Sequence, residues 1–242
     1  IIRSPLVRKI NDIIGMLFFV DPQLWRVIRY NQGLLYSKGR IINKNIIVFE
    51  VGWQHKNAIT HFVGYLIRNR NAKPATTATM DAGKKMQELH GPKVAVIRVP
   101  EFDTHANQGT EDGLHSEQLR VVDNVYGALK SGLGPMWAST IVLTVTEFGR
   151  TIAQNGSAGT DHGFGSACLI AGGLISQAGV VSDWPGLKPS QLHEGRDLNA
   201  TIDMRSVCAA CLEVAFGLEH NEIVEKVFSD TKVKRIYNEI FS

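Results

Sequence analysis

From residue 93 onward, short apolar runs alternate with polar, glycine-rich segments, and their order predicts a layered α/β domain. Lys93-Val94-Ala95-Val96-Ile97-Arg98-Val99 is rich in β-branched residues and reads as a strand, ended by Pro100. Leu119, Val122, Tyr126, Leu129 and Leu133 recur at spacings of three and four, the apolar stripe of one helix. Gly132 and Gly134-Pro135 are its expected stops. Residues 140–146 then predict a buried strand, and residues 167–171 a further short one. Residues 179–181 suggest a minor strand. Asn199 or Thr201 can cap a helix that runs to Phe216, with Gly217 as its stop. Residues 221–228 predict a last short helix, followed by a charged tail.

The earlier chain carries less pattern. Residues 76–89 suit a helix facing the core with Met80, Met86 and Leu89. Within residues 1–75, short apolar runs such as residues 46–49 fit strand or helix fragments, and no motif emerges. The apolar run at residues 13–20 is shorter than the about 20 residues a bilayer span needs, so a buried helix or strand is expected there. The expected organisation is a basic segment over residues 1–75, an α/β core over 76–220, and a helix with a tail over 221–242.

Strand, loop, helix and strand in that order imply a parallel pair joined by a crossover helix. Parallel strands end on one rim, where open α/β sheets bind their ligands. Asp103 and His105 follow the first strand, and Glu147 follows the second at once. Their convergence on one rim is therefore expected.

Composition narrows the classes. With 242 residues, 44% hydrophobic and 20% charged, the chain is that of an ordinary globular domain. The net charge of +3 is uneven, because residues 1–94 hold fifteen Lys/Arg against five Asp/Glu. Those basic residues are scattered, without a block or an RNA-binding aromatic pattern, which argues against nucleic acid as a partner. Three cysteines cannot build a disulfide framework. Cys208 and Cys211 fall within the helical pattern Val207, Cys211, Val214, Leu218 and are expected in the core rather than on zinc. His55 and His61 are six apart, not a helical ligand pair, and read as loop or surface residues.

The chemistry concentrates in residues 144–165, T-V-T-E-F-G-R-T-I-A-Q-N-G-S-A-G-T-D-H-G-F-G. A long polar loop leaving a buried strand is costly to order, and such loops are commonly functional. Asp103, His105, Glu147, Asp161 and His162 are of the types that bind divalent cations. Mixed carboxylate and imidazole suit Zn²⁺, Mn²⁺ or Fe. Arg150 can grip an anionic ester through its planar fork. Singly, each has an ordinary alternative: a turn aspartate, a structural histidine, a Glu147–Arg150 ion pair. Their shared rim is what favours a site. His193, Glu194 and Arg196 are weaker candidates, and His90, His115 and His220 read as surface residues.

The runs V-A-V-I-R-V-P-E-F-D-T-H-A-N-Q-G, T-E-F-G-R-T-I-A-Q-N-G-S-A-G-T-D-H-G, D-W-P-G-L and L-H-E-G-R-D-L together resemble the bacterial domain of unknown function 1501 family, over roughly residues 78–220. That family is similar to the alkaline phosphatase and sulfatase superfamily. The resemblance implies a three-layer α/β/α, mostly parallel sheet whose N-terminal strands lie outside this chain. It also implies an exported, periplasmic protein, often with a twin-arginine signal. Asp103 and His105 look like the superfamily's first metal loop, and His162 like its last ligand. Where the superfamily has an Asp-His pair this chain has Glu147-Phe148, and Pro100-Glu101 stands where the family usually has a Gly pair. No nucleophile motif is visible in residues 1–75. The expected function is a metal-dependent hydrolase of phosphate or sulfate esters using Zn or Mn, or a descendant of one. The metal ligands would be Asp103, His105 and His162, with Glu147 and Asp161 as ligands or groups that orient them, and Arg150 on the anion. The alternative is a non-catalytic exported binding or scaffold protein of the same fold.

Overall fold

Residues 140–146, Thr-Ile-Val-Leu-Thr-Val-Thr, are buried on both sides up to Val145, and the rest of the fold is arranged around that strand. The computed structural model describes residues 45–51, 72–89 and 91–241. The first of its elements are β1 (Asn45–Val51), α1 (Ala72–Met86), β2 (Val94–Val99), α2 (Leu114–Leu133) and β3 (Thr140–Thr146). They are followed by β4 (Gly149–Arg150), β5 (His162–Gly163), β6 (Leu169–Ala171), α3 (Met204–Phe216), α4 (His220–Ile223) and α5 (Tyr237–Phe241). Residues 1–44 and 52–71, with His55, His61 and the apolar run at 13–20, lie outside the described residues, as does His90.

The sheet has the order β2-β1-β3-β6. β1 runs parallel to β2 in the register Val48↔Val96 and parallel to β3 in the register Val48↔Leu143. β6 pairs antiparallel with β3, Leu143 opposite Ile170. The class is mixed α/β. β2 and β3 are parallel, as the sequence predicts, but they are not neighbours. β1, drawn from the stretch with the least legible pattern, lies between them. The crossover through α2 therefore skips one strand position.

Side chains of β3 alternate between two cores, the period-two geometry of a strand. Ile141, Leu143 and Val145 join Val94, α3 and the C-terminal elements, while Val142 joins Ala95, Ile97, α1 and α2. Burial on both faces explains the unbroken apolar text. Each fully buried Ile or Leu is worth about 1.5–3 kcal/mol relative to exposure.

On α2 the buried seam is Val122, Val125, Ala128, Leu129, Gly132 and Leu133, whereas Leu119, one turn earlier, is exposed. Gly132 is not a stop. It lies inside the helix at the α1 crossing, where a Cβ would strike the Met80 carbonyl and Gly83 stands opposite. The helix ends one residue later, at Leu133, with Gly134 at φ 51°.

The cap of α3 is Asp203, not Asn199 or Thr201, and its carboxylate accepts from the Arg205 backbone N–H at 2.8 Å. Arg205 also forks from Asp203 to Asp230, at 2.6 and 3.0 Å, which fixes that start. Gly217, at φ 64°, closes the helix as expected. Residues 179–181 form no strand, and Val180 is exposed. Two valines after a glycine are too few to repay the ordering of a rung. The final segment is not all tail, because α5 buries Phe241. His220 is no surface residue either, since its Nε2 donates to the Val233 carbonyl at 3.1 Å and Glu213 lies 3.4 Å from Nδ1. Cys208 and Cys211 are buried in the core of α3.

Candidate metal centre

Because β2 and β3 are parallel, the segments leaving them start from the same rim. After Val99 the chain turns through Glu101, a non-glycine residue at φ 73°, and reaches Asp103 and His105. After Thr146 it folds into the β4–β5 hairpin, with Arg150 opposite His162 and Gly149 opposite Gly163. The loop between these short strands is stitched to the Asp103 segment. Asn155 Nδ2 donates to the His105 carbonyl and to Asp161 Oδ1, both at 2.9 Å. Its Oδ1 accepts from the N–H groups of Ser157 and Gly159, at 2.9 and 3.0 Å. Thr104 and Thr160 donate to the same Gln108 oxygen, at 2.8 and 2.7 Å. Gly159 packs so closely that a Cβ there would run into the His105 carbonyl.

Three of the expected ligands come together. Asp103 Oδ1 lies 2.9 Å from His105 Nε2 and 3.0 Å from His162 Nε2, and the two imidazole nitrogens are 3.1 Å apart. Asp161 Oδ1 lies 3.0 Å from His105 Nδ1. A carboxylate can only accept, so His105 Nδ1 donates to Asp161, and Nε2 is the nitrogen turned to Asp103 and His162. Lone pairs crowded at this distance repel unless positive charge sits among them. A proton shared between two of them, or a cation held by all three, supplies that charge. Donors about 2.0–2.2 Å from one cation stand about 2.8–3.6 Å apart at octahedral to tetrahedral angles, and the observed triangle falls in that range. Asp103, His105 and His162 can thus hold a metal ion.

Electrostatics favour the ionised carboxylates. Burial alone would push Asp103 up. The hydrogen bond from His162 and the charges of His105, Arg150 and His162 together outweigh it and hold Asp103 below its ordinary value. Asp161 is held low by hydrogen bonds from Asn155 and then His105. The site remains open to solvent, with His105 44% and His162 43% exposed.

Glu147 follows β3 directly but does not belong to the group of converging donors. Its neighbour Phe148 packs against His162, ring centroids 4.2 Å apart and planes tilted by 36°. Arg150 faces inward. Its NH1 is buried 3.1 Å from Asp103 Oδ1, and its NH2 donates to the Phe102 carbonyl at 3.2 Å. His115 lies edge-on to Phe102, at 5.8 Å. His193 stacks on Phe164 at 4.2 Å, and Arg196 forks onto buried Asp197 with two contacts of 2.8 Å. Asn155 and Gln108 escaped the sequence reading. The only signal for Asn155 is N-G-S-A-G, a side-chain oxygen followed by N–H groups two and four residues on.

Residues 67–228 match the family model described as protein of unknown function, DUF1501, and the chain belongs to that family. Among curated proteins no match was found. None was found among solved structures. The matched residues contain all of the converging side chains but begin after β1. Among the described residues no helix is long and apolar enough to cross a membrane.

Proposed function

We propose that the protein is a metal-dependent hydrolase of phosphate or sulfate esters, built on an alkaline-phosphatase-like three-layer α/β/α fold and working outside the cytoplasm. The observation that supports this most is the triangle of Asp103 Oδ1, His105 Nε2 and His162 Nε2, with sides of 2.9, 3.0 and 3.1 Å, above the ends of parallel strands. A divalent cation there supplies charge for the oxygen that develops negative character as an ester is cleaved. The chain's own residues prepare the place for it. Asp161 orients His105, Phe148 orients His162, and Arg150 anchors Asp103. Zn²⁺ and Mn²⁺ suit the mixed nitrogen and oxygen donors.

The test is elemental analysis of purified protein, paired with a panel of aryl phosphates and sulfates. About one equivalent of Zn or Mn, lost in His162→Ala together with hydrolysis, is the expected result. A folded protein that takes up neither metal rejects the reading. One observation favours a second reading, a non-catalytic binding or scaffold protein. Phe148 occupies the place where the superfamily pattern has a ligand, and its ring covers His162. That reading expects a folded protein inert on the whole panel.

A further inference from the structure

We infer that Arg196, held by the buried carboxylate of Asp197, is the residue that grips the tetrahedral oxyanion of the substrate. The inference rests on the hydrolase reading for its chemistry and adds the residue that recognises the anion.

The loop carrying Arg196 is built into the site. Asp197 forms a backbone bridge with Thr151, which in turn exchanges contacts with Asp161 through its own N–H (3.0 Å) and its hydroxyl (3.1 Å). The backbone of Asp197 is thus one rung beyond β4, on the side away from β5. At about 4.8 Å per rung, it lies about 10 Å from the backbone that carries Asp161 and His162, within reach of a long side chain. The other end of the loop is pinned as well, by the stack of His193 on Phe164, two residues after His162. His193 and Asp197 close the loop on themselves through reciprocal backbone hydrogen bonds of 2.9 and 3.0 Å.

Within that frame Arg196 is both oriented and available. Nε and NH2 donate to the two oxygens of Asp197, each at 2.8 Å, and the Asp197 side chain is only 4% exposed. A guanidinium gripped along that edge keeps its NH1 donors and one NH2 donor, the pair that fits two oxygens of a phosphate or sulfate. Arg196 itself is 59% exposed. The hydrogen bond and the charge of Asp197 keep it firmly protonated, and it also feels the Asp161 carboxylate. Arg150, the sequence's candidate for this contact, is differently placed. Its side chain is 23% exposed, its NH1 is buried against Asp103, and its NH2 is spent on the Phe102 carbonyl.

The experiment is calorimetric titration of the full chain with inorganic phosphate and, separately, inorganic sulfate, after loading with Zn²⁺ or Mn²⁺. Arg196→Ala should weaken the preferred anion about 10- to 100-fold, the loss of charged hydrogen bonds, with the metal content unchanged. The Ala variant strands a buried carboxylate, so Arg196→Lys is the second variant. It keeps a cation beside Asp197 but lacks the planar edge, and it should show a similar loss while melting near the parent. Equal anion affinity in parent and Arg196→Lys overturns the inference. A protein that takes up metal but binds neither anion also overturns it, and leaves the metal centre standing. Anion binding that depends on Arg196 in a protein that takes up no metal supports the inference and sinks the hydrolase reading instead.

Discussion

Asp161 Oδ1 stands 3.0 Å from His105 Nδ1, while the other nitrogen of that ring faces Asp103 and His162. The contact decides which nitrogen faces the converging donors. Without it the imidazole is free to take either tautomer and to rotate. Asp161→Ala should therefore lower Zn²⁺ affinity about 10- to 100-fold without unfolding the protein, since the residue is exposed. Competition titration against a chromogenic chelator measures this, and unchanged affinity would show that Asp161 has no orienting role.

Acid sensitivity should trace in part to the start of α3. Burial pushes the Asp203 carboxyl up, but hydrogen bonds from the side chain and backbone of Arg205 outweigh it and hold the group below its ordinary 3.8. The folded state thus prefers the ionised form. Its contribution is complete above about pH 3.8 and is lost as the pH falls through the lower folded value. In urea unfolding, Asp203→Asn keeps a capping oxygen but loses the ion pair, so it should cost about 1 kcal/mol or less near pH 7. The gap between the two proteins should close as the pH falls below 3.8. A gap independent of pH would exclude the mechanism.

The crossing of α1 and α2 makes a paired prediction. Gly132→Ala pushes a methyl into the Met80 carbonyl and should cost about 1–3 kcal/mol. Gly127, on the same helix, has open space around its Cβ position, and Gly127→Ala should gain about 0.5–1 kcal/mol. Melting temperatures moving in opposite directions support the crossing. A neutral Gly132→Ala would contradict it.

Burial pushes the Cys208 thiol up to about 12 and Cys211 well above its ordinary value. Neither should be alkylated by iodoacetamide in the native protein at about pH 8, although both react once it is unfolded. Native labelling of either, read by peptide mass, would mean that α3 is not packed as described.

Much of this was legible because burial writes itself into text. β3 is covered on both faces, so its run is nearly all apolar, and the α2 seam repeats with the helical period. Strand direction put Asp103, His105 and Glu147 on one rim, whereas His162 reaches Asp103 and His105 through the hairpin that follows the second strand. Strand order did not follow, because pairing partners are set by contacts distant in sequence, and nothing in Asn45–Val51 announces a central place. Local choices among equals were also hidden. Asn199, Thr201 and Asp203 are all fit to cap a helix, and only the fork of Arg205 selects the last. Glu147 looked equivalent to the other acids, yet the hairpin that brings His162 forward leaves it aside.

The family match opens at residue 67, whereas the strand that separates β2 from β3 closes at Val51. A polypeptide trimmed to the matched boundaries would lose the keystone of its own sheet. The two supports that carry Asp103 and His162 would then have nothing to keep them at the right span. Asp103 and His162 thus depend on a stretch that lies before the matched residues.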